Sequence, residues 1–351
     1  MKIHTRASLF IFIVVLSVTQ LAVAKEKKAS KFSESITVAD KAIVKKAKIE
    51  GWSGDLRLGA TFAVASNSNV VGSPDGTTLV LGAQLKGSLA YRSGPHDWRN
   101  RLSITETATQ APPLDKLLKS SDALSLESLY FYRIANSWIG PFVRFSLNTA
   151  LFEGTDYRTE NVIYRVKGLQ RTFDIPADEL HLSDPFGPLM LQEAVGFFGE
   201  PLNKKPIKIE LWAAFGARQT LLADQQFALN DDDKTKDIIE VKELEDYAQA
   251  GPIAGLSVSG SLVKDVLGYF ARGEAMIPVV KTDLPAGDDR SAIDLMNVLI
   301  EAGLSIKVFS WAAINYSFRA LREPQLLDRF QLQNSLLLTF TYSLLESAQK
   351  K

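Results

Sequence analysis

Cysteine is absent from the 351-residue chain, which excludes disulfide cross-links, cysteine-ligated zinc and thiol catalysis. An excess of charge of one sign is also lacking, because 40 Lys and Arg residues face 40 Asp and Glu residues. Binding to a phosphate backbone needs a basic surface. We therefore predict no nucleic-acid partner.

Histidine is scarce, with three in the chain. His96 lies in a short turn, where a structural role is expected. His181 lies two positions from Ser183 in a long connection, with no positioned third partner for a Ser-His-Asp arrangement. The sequence therefore does not predict an enzyme, and a lipid hydrolase is only a third hypothesis.

Motifs for phosphates, dinucleotides and catalytic zinc are missing as well. The acidic run Asp231–Asp233 and the group Asp283, Asp288 and Asp289 lack the spacing of a calcium loop. We interpret both as solvated loops. No metal and no cofactor are predicted.

A long apolar run occurs only near the N-terminus. Leu9–Val18 is apolar, Lys2 and Arg6 precede it, and the small residues Ala22–Ala24 follow it. This pattern is typical of a secretory signal and predicts cleavage after residue 24, the alternative being an uncleaved membrane anchor. We interpret residues 25–50 as a Lys-rich periplasmic segment with a short helix at Val38–Lys46.

From Trp52 onward, apolar and polar residues alternate. In Gly54–Val64, Leu56, Leu58 and Phe62 lie on one face, and Asp55 and Arg57 lie on the other. The pattern predicts about twelve strands, each long enough to cross a bilayer when tilted: Gly54–Val64, Thr78–Tyr91, Trp98–Thr107, Ala123–Arg133, Ile139–Leu151, Gly187–Phe198, Pro206–Arg218, Pro252–Val263, Val266–Val279, Ala292–Val308, Trp311–Leu321 and Asn334–Leu345.

The connections between these strands alternate between long and short. This rhythm predicts an all-β fold, an up-and-down transmembrane antiparallel β-barrel with short periplasmic turns and long outer loops, over residues 51–351. Residues 110–122 and 322–333 are among the expected long loops. Residues 161–173 either form a strand pair protruding from the third outer loop or raise the count to fourteen, and residues 231–250 are expected to hold a short helix.

A sheet that spans a bilayer must close, and closure creates an interior. The residues expected to line this lumen are charged, with eleven basic and five acidic side chains: Arg57, Lys86, Arg99, Arg101, Arg133, Arg144, Lys208, Arg218, Arg272, Lys307 and Arg319, with Asp55, Glu127, Glu210, Glu274 and Glu301. Four tryptophans begin strands at the periplasmic end and are expected at the lipid–water boundary: Trp52, Trp98, Trp138 and Trp311.

The last predicted strand places five apolar side chains on the lipid face: Leu336, Leu338, Phe340, Tyr342 and Leu344. Ser335–Leu345 resembles the C-terminal recognition segment of outer-membrane proteins, although the tail "ESAQKK" follows it. The expected partners are therefore outer-membrane lipid and the barrel-assembly machinery. We expect a monomer in the outer membrane of a Gram-negative bacterium, with both termini periplasmic.

Residues 51–157 resemble an outer-membrane family, the domain of unknown function 3078 (DUF3078). The segments that carry the resemblance are "GWSGDLRLGATFA", "YRSGPHDWRNRLSIT", "KSSDALSLESLYFYR" and "FSLNTALFEGTDYR". The first connection departs from it, since "SNVVGSPDG" stands where the family has an Asn-Trp-x-x-Gly-Gly stretch. The resemblance implies an outer-membrane β protein and no particular activity.

Two functions remain open ahead of the hydrolase. The excess of basic lumen residues favours a narrow pore for small, anionic solutes. Alternatively, arginines that pair with glutamates fill the small interior of a twelve-stranded barrel, which then acts through its outer loops, residues 152–186 and 220–251.

Overall fold

The computed structural model describes residues 50–67, 76–111, 114–168, 171–204, 206–222, 226–229, 237–263, 266–282 and 289–346. The predicted signal, almost all of the Lys-rich segment and most of the acidic positions considered above lie outside these ranges. The strands are β1 (Gly51–Asn67), β2 (Gly76–Ser93), β3 (His96–Ala111), β4 (Leu114–Tyr132), β5 (Ile139–Thr149), β6 (Gly154–Lys167), β7 (Thr172–Ser183), β8 (Leu189–Asn203), β9 (Lys208–Leu221), β10 (Phe227–Leu229), β11 (Ile238–Glu243), β12 (Tyr247–Leu262), β13 (Leu267–Met276), β14 (Val280–Lys281), β15 (Asn297–Phe309), β16 (Ala312–Glu323) and β17 (Leu327–Glu346).

Twelve strands form a closed antiparallel barrel within the described residues, in the order β1, β2, β3, β4, β5, β8, β9, β12, β13, β15, β16 and β17. The last strand pairs with the first, with Leu58 opposite Tyr342, and this pairing closes the sheet. The two-residue β14 pairs with β12 beyond the end of β13. The predicted all-β barrel of about twelve strands is thus confirmed.

A second sheet has the order β10-β11-β6-β7 and comes from the segments that follow β5 and β9. Its apolar core consists of Tyr164, Val166, Leu180 and Val241, all buried. We call it the outer sheet. Because β6 and β7 pair with each other rather than with barrel strands, residues 161–173 form the protruding strand pair, and the count of fourteen is wrong.

The short helix expected within residues 231–250 is wrong for its described part. Ile238–Glu243 is strand β11, which runs parallel to β6 and pairs with it, and Tyr247 already begins β12. The segment forms a strand because the edge of β6 provides backbone partners for it. Lys242 then ties the outer sheet to the barrel, since its Nζ donates to the carbonyl oxygens of Gln325 (3.0 Å) and Leu326 (2.7 Å).

Two expected long loops are mostly strand. β3 and β4 stay paired as far as Ala111 opposite Leu114, and only residues 324–326 separate β16 from β17. Residues 110–122 and 322–333 mix proline, polar and apolar residues without regular alternation, which is why the sequence predicts loops there. Beyond the bilayer, however, both faces of a hairpin can be wet while its strands remain paired.

Large apolar side chains cover the outward face of the barrel. Leu336 is 70% exposed, Val195 is 60% exposed and Tyr342 is 60% exposed. A bulge opposite Leu56 and Arg57 changes the phase of β17, so Leu345 rather than the expected Leu344 is the exposed residue there. In the part of the chain that the structure describes, no helix has the length and apolar character needed to cross a membrane.

Candidate functional site in the barrel interior

An ion pair joins strands that are not neighbours in the sheet. Arg144 on β5 donates two hydrogen bonds to Glu274 on β13, from Nη1 to Oε2 (2.7 Å) and from Nη2 to Oε1 (3.0 Å). Three strands, β8, β9 and β12, separate β5 from β13 around the wall. Side chains so placed meet only across the interior of a closed barrel. Both are buried, so the pair is a shielded, two-pronged contact across the lumen.

Glu274 collects further donors at the same level. Trp212 donates its indole Nε1 (2.8 Å), Gln192 donates its amide (3.2 Å), and Arg272 lies 3.3 Å away. Trp212 lies opposite Gly255 on β12, and a Cβ at residue 255 would overlap the indole ring. The glycine therefore gives the ring the space from which it reaches the carboxylate.

A second charged cluster lies near the short-turn end of the barrel. Arg99 donates to Asp97 (3.0 and 2.8 Å) and to Glu200 (3.3 Å). Arg133 also donates to both carboxylates, at 2.8 Å and 3.1 Å. Lys208 lies 3.3 Å from Glu200 and pairs with Glu210. Strands β3, β8 and β9 and the residue that follows β4 are thus linked.

Apolar rings lie close to these clusters. Phe131, Phe142 and Phe198 are all buried, with ring centroids 5.0 Å apart for Phe131 and Phe198 and 6.1 Å apart for Phe142 and Phe198. Leu129 and Trp212 belong to the same buried cluster. The sequence reading missed this layer, although Leu129 and Phe131 share their face of β4 with the predicted lumen residue Glu127.

A cavity of about 120 Å³ lies between the clusters. Its lining includes Arg101, Glu127, Arg272 and Glu301. Arg101 lies 3.1 Å from Glu127, and Arg272 lies 3.9 Å from the same carboxylate. Such a volume holds a small cluster of water molecules.

The structure distributes the predicted lumen residues over several levels. Arg99, Arg133, Lys208 and Glu210 meet at the short-turn end, and Arg101, Glu127, Arg144, Arg272 and Glu274 meet in the middle, as described above. Three ion pairs complete the set: Arg57 pairs with Asp55 (3.1 Å) opposite Lys86, Arg218 pairs with Glu323, and Arg319 lies 3.7 Å from Glu301. Lys307 lies on β15.

Three acidic residues were absent from the predicted set. Asp97, Glu200 and Glu323 all bind arginines inside the barrel. Adding them to the five predicted acids gives eight, against eleven basic residues, so the basic excess is smaller than the sequence indicated. Each lies just beyond a predicted strand end, and the longer strands carry it into the interior.

The four predicted interface tryptophans lie on the outward face near the short-turn end. Trp52 contacts Tyr91 (4.9 Å between ring centroids) and Trp98 (6.0 Å). Trp311 stacks on two phenylalanines, Phe309 and Phe340. Trp138 is exposed as well. Their contact with the lipid boundary stays a prediction.

The two described histidines each contact one polar side chain. His96 Nδ1 lies 2.6 Å from the Tyr130 hydroxyl, and His181 Nε2 lies 3.1 Å from Asp184 Oδ1. Within the described ranges, no serine hydroxyl bonds to His181, and no group of three or more His, Asp or Glu residues is arranged to hold a metal ion.

Similarity to known proteins is found among solved structures. No family model and no curated protein matches the chain, so the resemblance to DUF3078 stays a prediction. The chain is similar to an outer-membrane channel from Pseudomonas putida F1 (10% identity, TM-score 0.38, 91% of this chain and 100% of that one). It is also similar to the translocator domain of the autotransporter NalP from Neisseria meningitidis (7%, 0.35, 95% and 99%) and to the β domain of the Bordetella autotransporter BrkA (10%, 0.33, 84% and 99%). At these values the likeness carries no conclusion about this chain.

Proposed function

We propose that this protein is a monomeric barrel of a Gram-negative outer membrane, that its lumen is closed to solutes, and that it acts through its outer sheet. The observation that carries the proposal is the Arg144–Glu274 pair, which crosses the interior next to the buried phenylalanine rings. The outer sheet has an apolar core of its own, so it presents an ordered surface.

The pairing of interior charges favours closure over conduction. A lumen that conducts anions needs basic side chains that remain available to a passing ion. Here Arg99 and Arg144 are nearly fully buried and each contacts at least one carboxylate. Their positive charge is already compensated, so they act as braces between distant strands.

Placement in the membrane is part of the same proposal. The apolar outward face fits acyl chains, and the ring of tryptophans fits the boundary between lipid and periplasm. Both chain ends would then lie in the periplasm. Ser335–Leu345, on the strand that closes the barrel, would be read by the assembly machinery. We propose no enzymatic activity.

A narrow anion pore is the second candidate. The observation in its favour is the remaining excess of basic residues among the described interior positions named above, eleven against eight. Rings of Arg and Lys favour anionic solutes where a passage exists.

Osmotic swelling of proteoliposomes separates the two candidates. Purified protein is reconstituted, and the vesicles, with valinomycin present in all samples to carry potassium, are diluted into potassium chloride, potassium gluconate or glucose. If the lumen is closed to solutes, the vesicles should swell no faster than protein-free vesicles in all three solutions. Faster swelling in chloride would instead support the anion pore and overturn the proposal.

A further inference from the structure

Five uncharged polar side chains are buried at the loop-side end of the barrel without hydrogen-bond partners among the described residues. The atoms concerned are Thr220 Oγ1, the Tyr247 hydroxyl and both amide atoms of Gln226, Gln249 and Asn297. Each of these residues is at most 7% exposed. Buried polar side chains in proteins nearly always have a partner, so five together call for an explanation.

Four of these side chains point into the lumen from barrel strands: Thr220 on β9, Tyr247 and Gln249 on β12, and Asn297 on β15. Thr220 on β9 lies opposite Tyr247 on β12, and two residues further along β12 Gln249 lies opposite Arg218. Phe215 and Leu221, of the opposite parity on β9, are exposed on the outward face, which places Thr220 inside.

Asn297 and Gln226 complete the group from two other directions. Asn297 begins β15, whose next residue, Val298, pairs with Arg322, so Asn297 lies beside Glu323. Glu323 is the partner of Arg218 across the barrel. Gln226 follows β9, and its amide fills the space at Gly187, just before β8.

The chemistry of the group selects a class of ligand. Each amide offers a donor and an acceptor, and each hydroxyl offers both. The five side chains are uncharged, and the Arg218–Glu323 pair beside them is internally compensated. Lys281 lies opposite Gln249 and donates from Nζ to the Arg290 carbonyl oxygen (3.1 Å). We propose that the loop-side end of the lumen binds a small neutral polyhydroxyl compound, such as a sugar, whose hydroxyl groups satisfy these side chains.

This inference rests on the proposed function, since a closed barrel retains at its mouth a solute that a pore would pass. Isothermal titration of purified full-length protein in detergent tests it. The probes are glucose and maltose, with gluconate as the anionic control and glucosamine as the cationic control. We expect heat of binding with the neutral sugars and at least tenfold weaker affinity for the two charged analogues.

Two variants locate the site. Gln249→Met and Asn297→Leu remove unpartnered amides, so each should fold and should weaken sugar affinity about tenfold, the value of one or two lost hydrogen bonds. Asn203→Leu, at the short-turn end, is the matched control and should bind as the wild type does. Heat-modifiable gel migration verifies that each variant is folded.

Three results would overturn the inference: no heat with either neutral sugar at concentrations up to about 10 mM, equal affinity for the charged analogues, or unchanged affinity in both amide variants. The first would mean that water alone satisfies the five side chains. Swelling assays on the same protein batch report separately on whether the barrel conducts. A conducting barrel would therefore contradict the proposed function, and sugar titration would still decide the binding site.

Discussion

Arg144 and Glu274 carry the largest single energetic consequence at the residue scale. Both side chains are buried. Removal of Glu274 takes from Arg144 the carboxylate that it binds, whereas removal of Arg144 leaves Glu274 with Arg272, 3.3 Å away. We therefore expect Glu274→Leu alone to lower the free energy of unfolding by about 3–5 kcal/mol, and Arg144→Met alone to lower it by less. The double variant should lose clearly less than the sum, because no charge is left unpaired.

Urea unfolding in detergent, followed by tryptophan fluorescence, measures the four members of this double-mutant cycle. Glu301 and Arg319 provide a control pair, since they lie 3.7 Å apart and are partly exposed. The coupling there should be below about 1 kcal/mol. Additive losses at Arg144 and Glu274 would show that the two side chains do not brace the barrel.

Tyr164 in the outer sheet should titrate late. Burial raises the pKa of Tyr164 to about 12, and the hydrogen bond that it donates to Asp156 (2.9 Å) also raises this pKa. The folded protein keeps this proton between pH 10 and 12 while the unfolded chain loses it. The stabilising contribution is therefore complete below pH 10 and is lost as the pH rises through 12.

Ultraviolet absorbance of tyrosinate measures this titration. Comparison of the wild type with Tyr164→Phe should remove a component with a midpoint near pH 12. If the component removed had an ordinary midpoint near pH 10, the buried hydrogen bond to Asp156 would be contradicted.

The sequence predicts whether a side chain faces inward or outward wherever apolar and polar residues alternate regularly. Arg144 and Glu127 follow that alternation, and both point inward. Glu200 and Glu323 lay outside the predicted strands and could not be placed. Which arginine meets which carboxylate across the lumen depends on the stagger of twelve strands, and a local pattern does not contain that information.

The outer sheet can be weakened separately at the scale of elements. Val166 is fully buried in the core of this sheet, whereas Ile163 on the same strand is 36% exposed. We expect Val166→Ala to destabilise the outer sheet by about 2 kcal/mol through loss of buried methyl groups. Ile163→Ala should cost less than about 1 kcal/mol.

Limited proteolysis measures the destabilisation of the outer sheet. Val166→Ala should increase cleavage between β5 and β8 or between β9 and β12, while heat-modifiable migration of the barrel stays unchanged. Equal cleavage of the Val166 and Ile163 variants would contradict a separate apolar core in these segments.

The barrel strands were predictable because each has one apolar face and one polar face over many residues. The connections between strands were harder to predict. Residues 110–122 carry polar residues on both faces and were mistaken for a loop, although they extend a hairpin. Residues of β11 pair with the edge of β6 instead of forming a helix. That edge comes from a segment more than sixty residues earlier in the chain, so the local sequence does not indicate it.

At the scale of the whole molecule, closure of the sheet places one set of alternating side chains on the outward face and the other set in the interior. Exposed residues such as Leu336 and Val195 face outward, while Arg144 and Glu274 meet inside the barrel. The Arg144–Glu274 pair connects β5 with β13 and the Arg99–Glu200 pair connects β3 with β8, and neither pair of strands is adjacent in the sheet. The interior is thus occupied by contacts that hold the wall together.

Conductance across a planar lipid bilayer tests this account most directly. Wild-type protein should insert without a steady current, because paired charges and phenylalanine rings occupy the lumen. The variant Arg144→Ala/Glu274→Ala/Phe142→Ala, which removes one brace and one ring, should show measurable conductance steps. Steady conductance of the wild type, as high as that of the variant, would contradict a lumen that is closed to solutes.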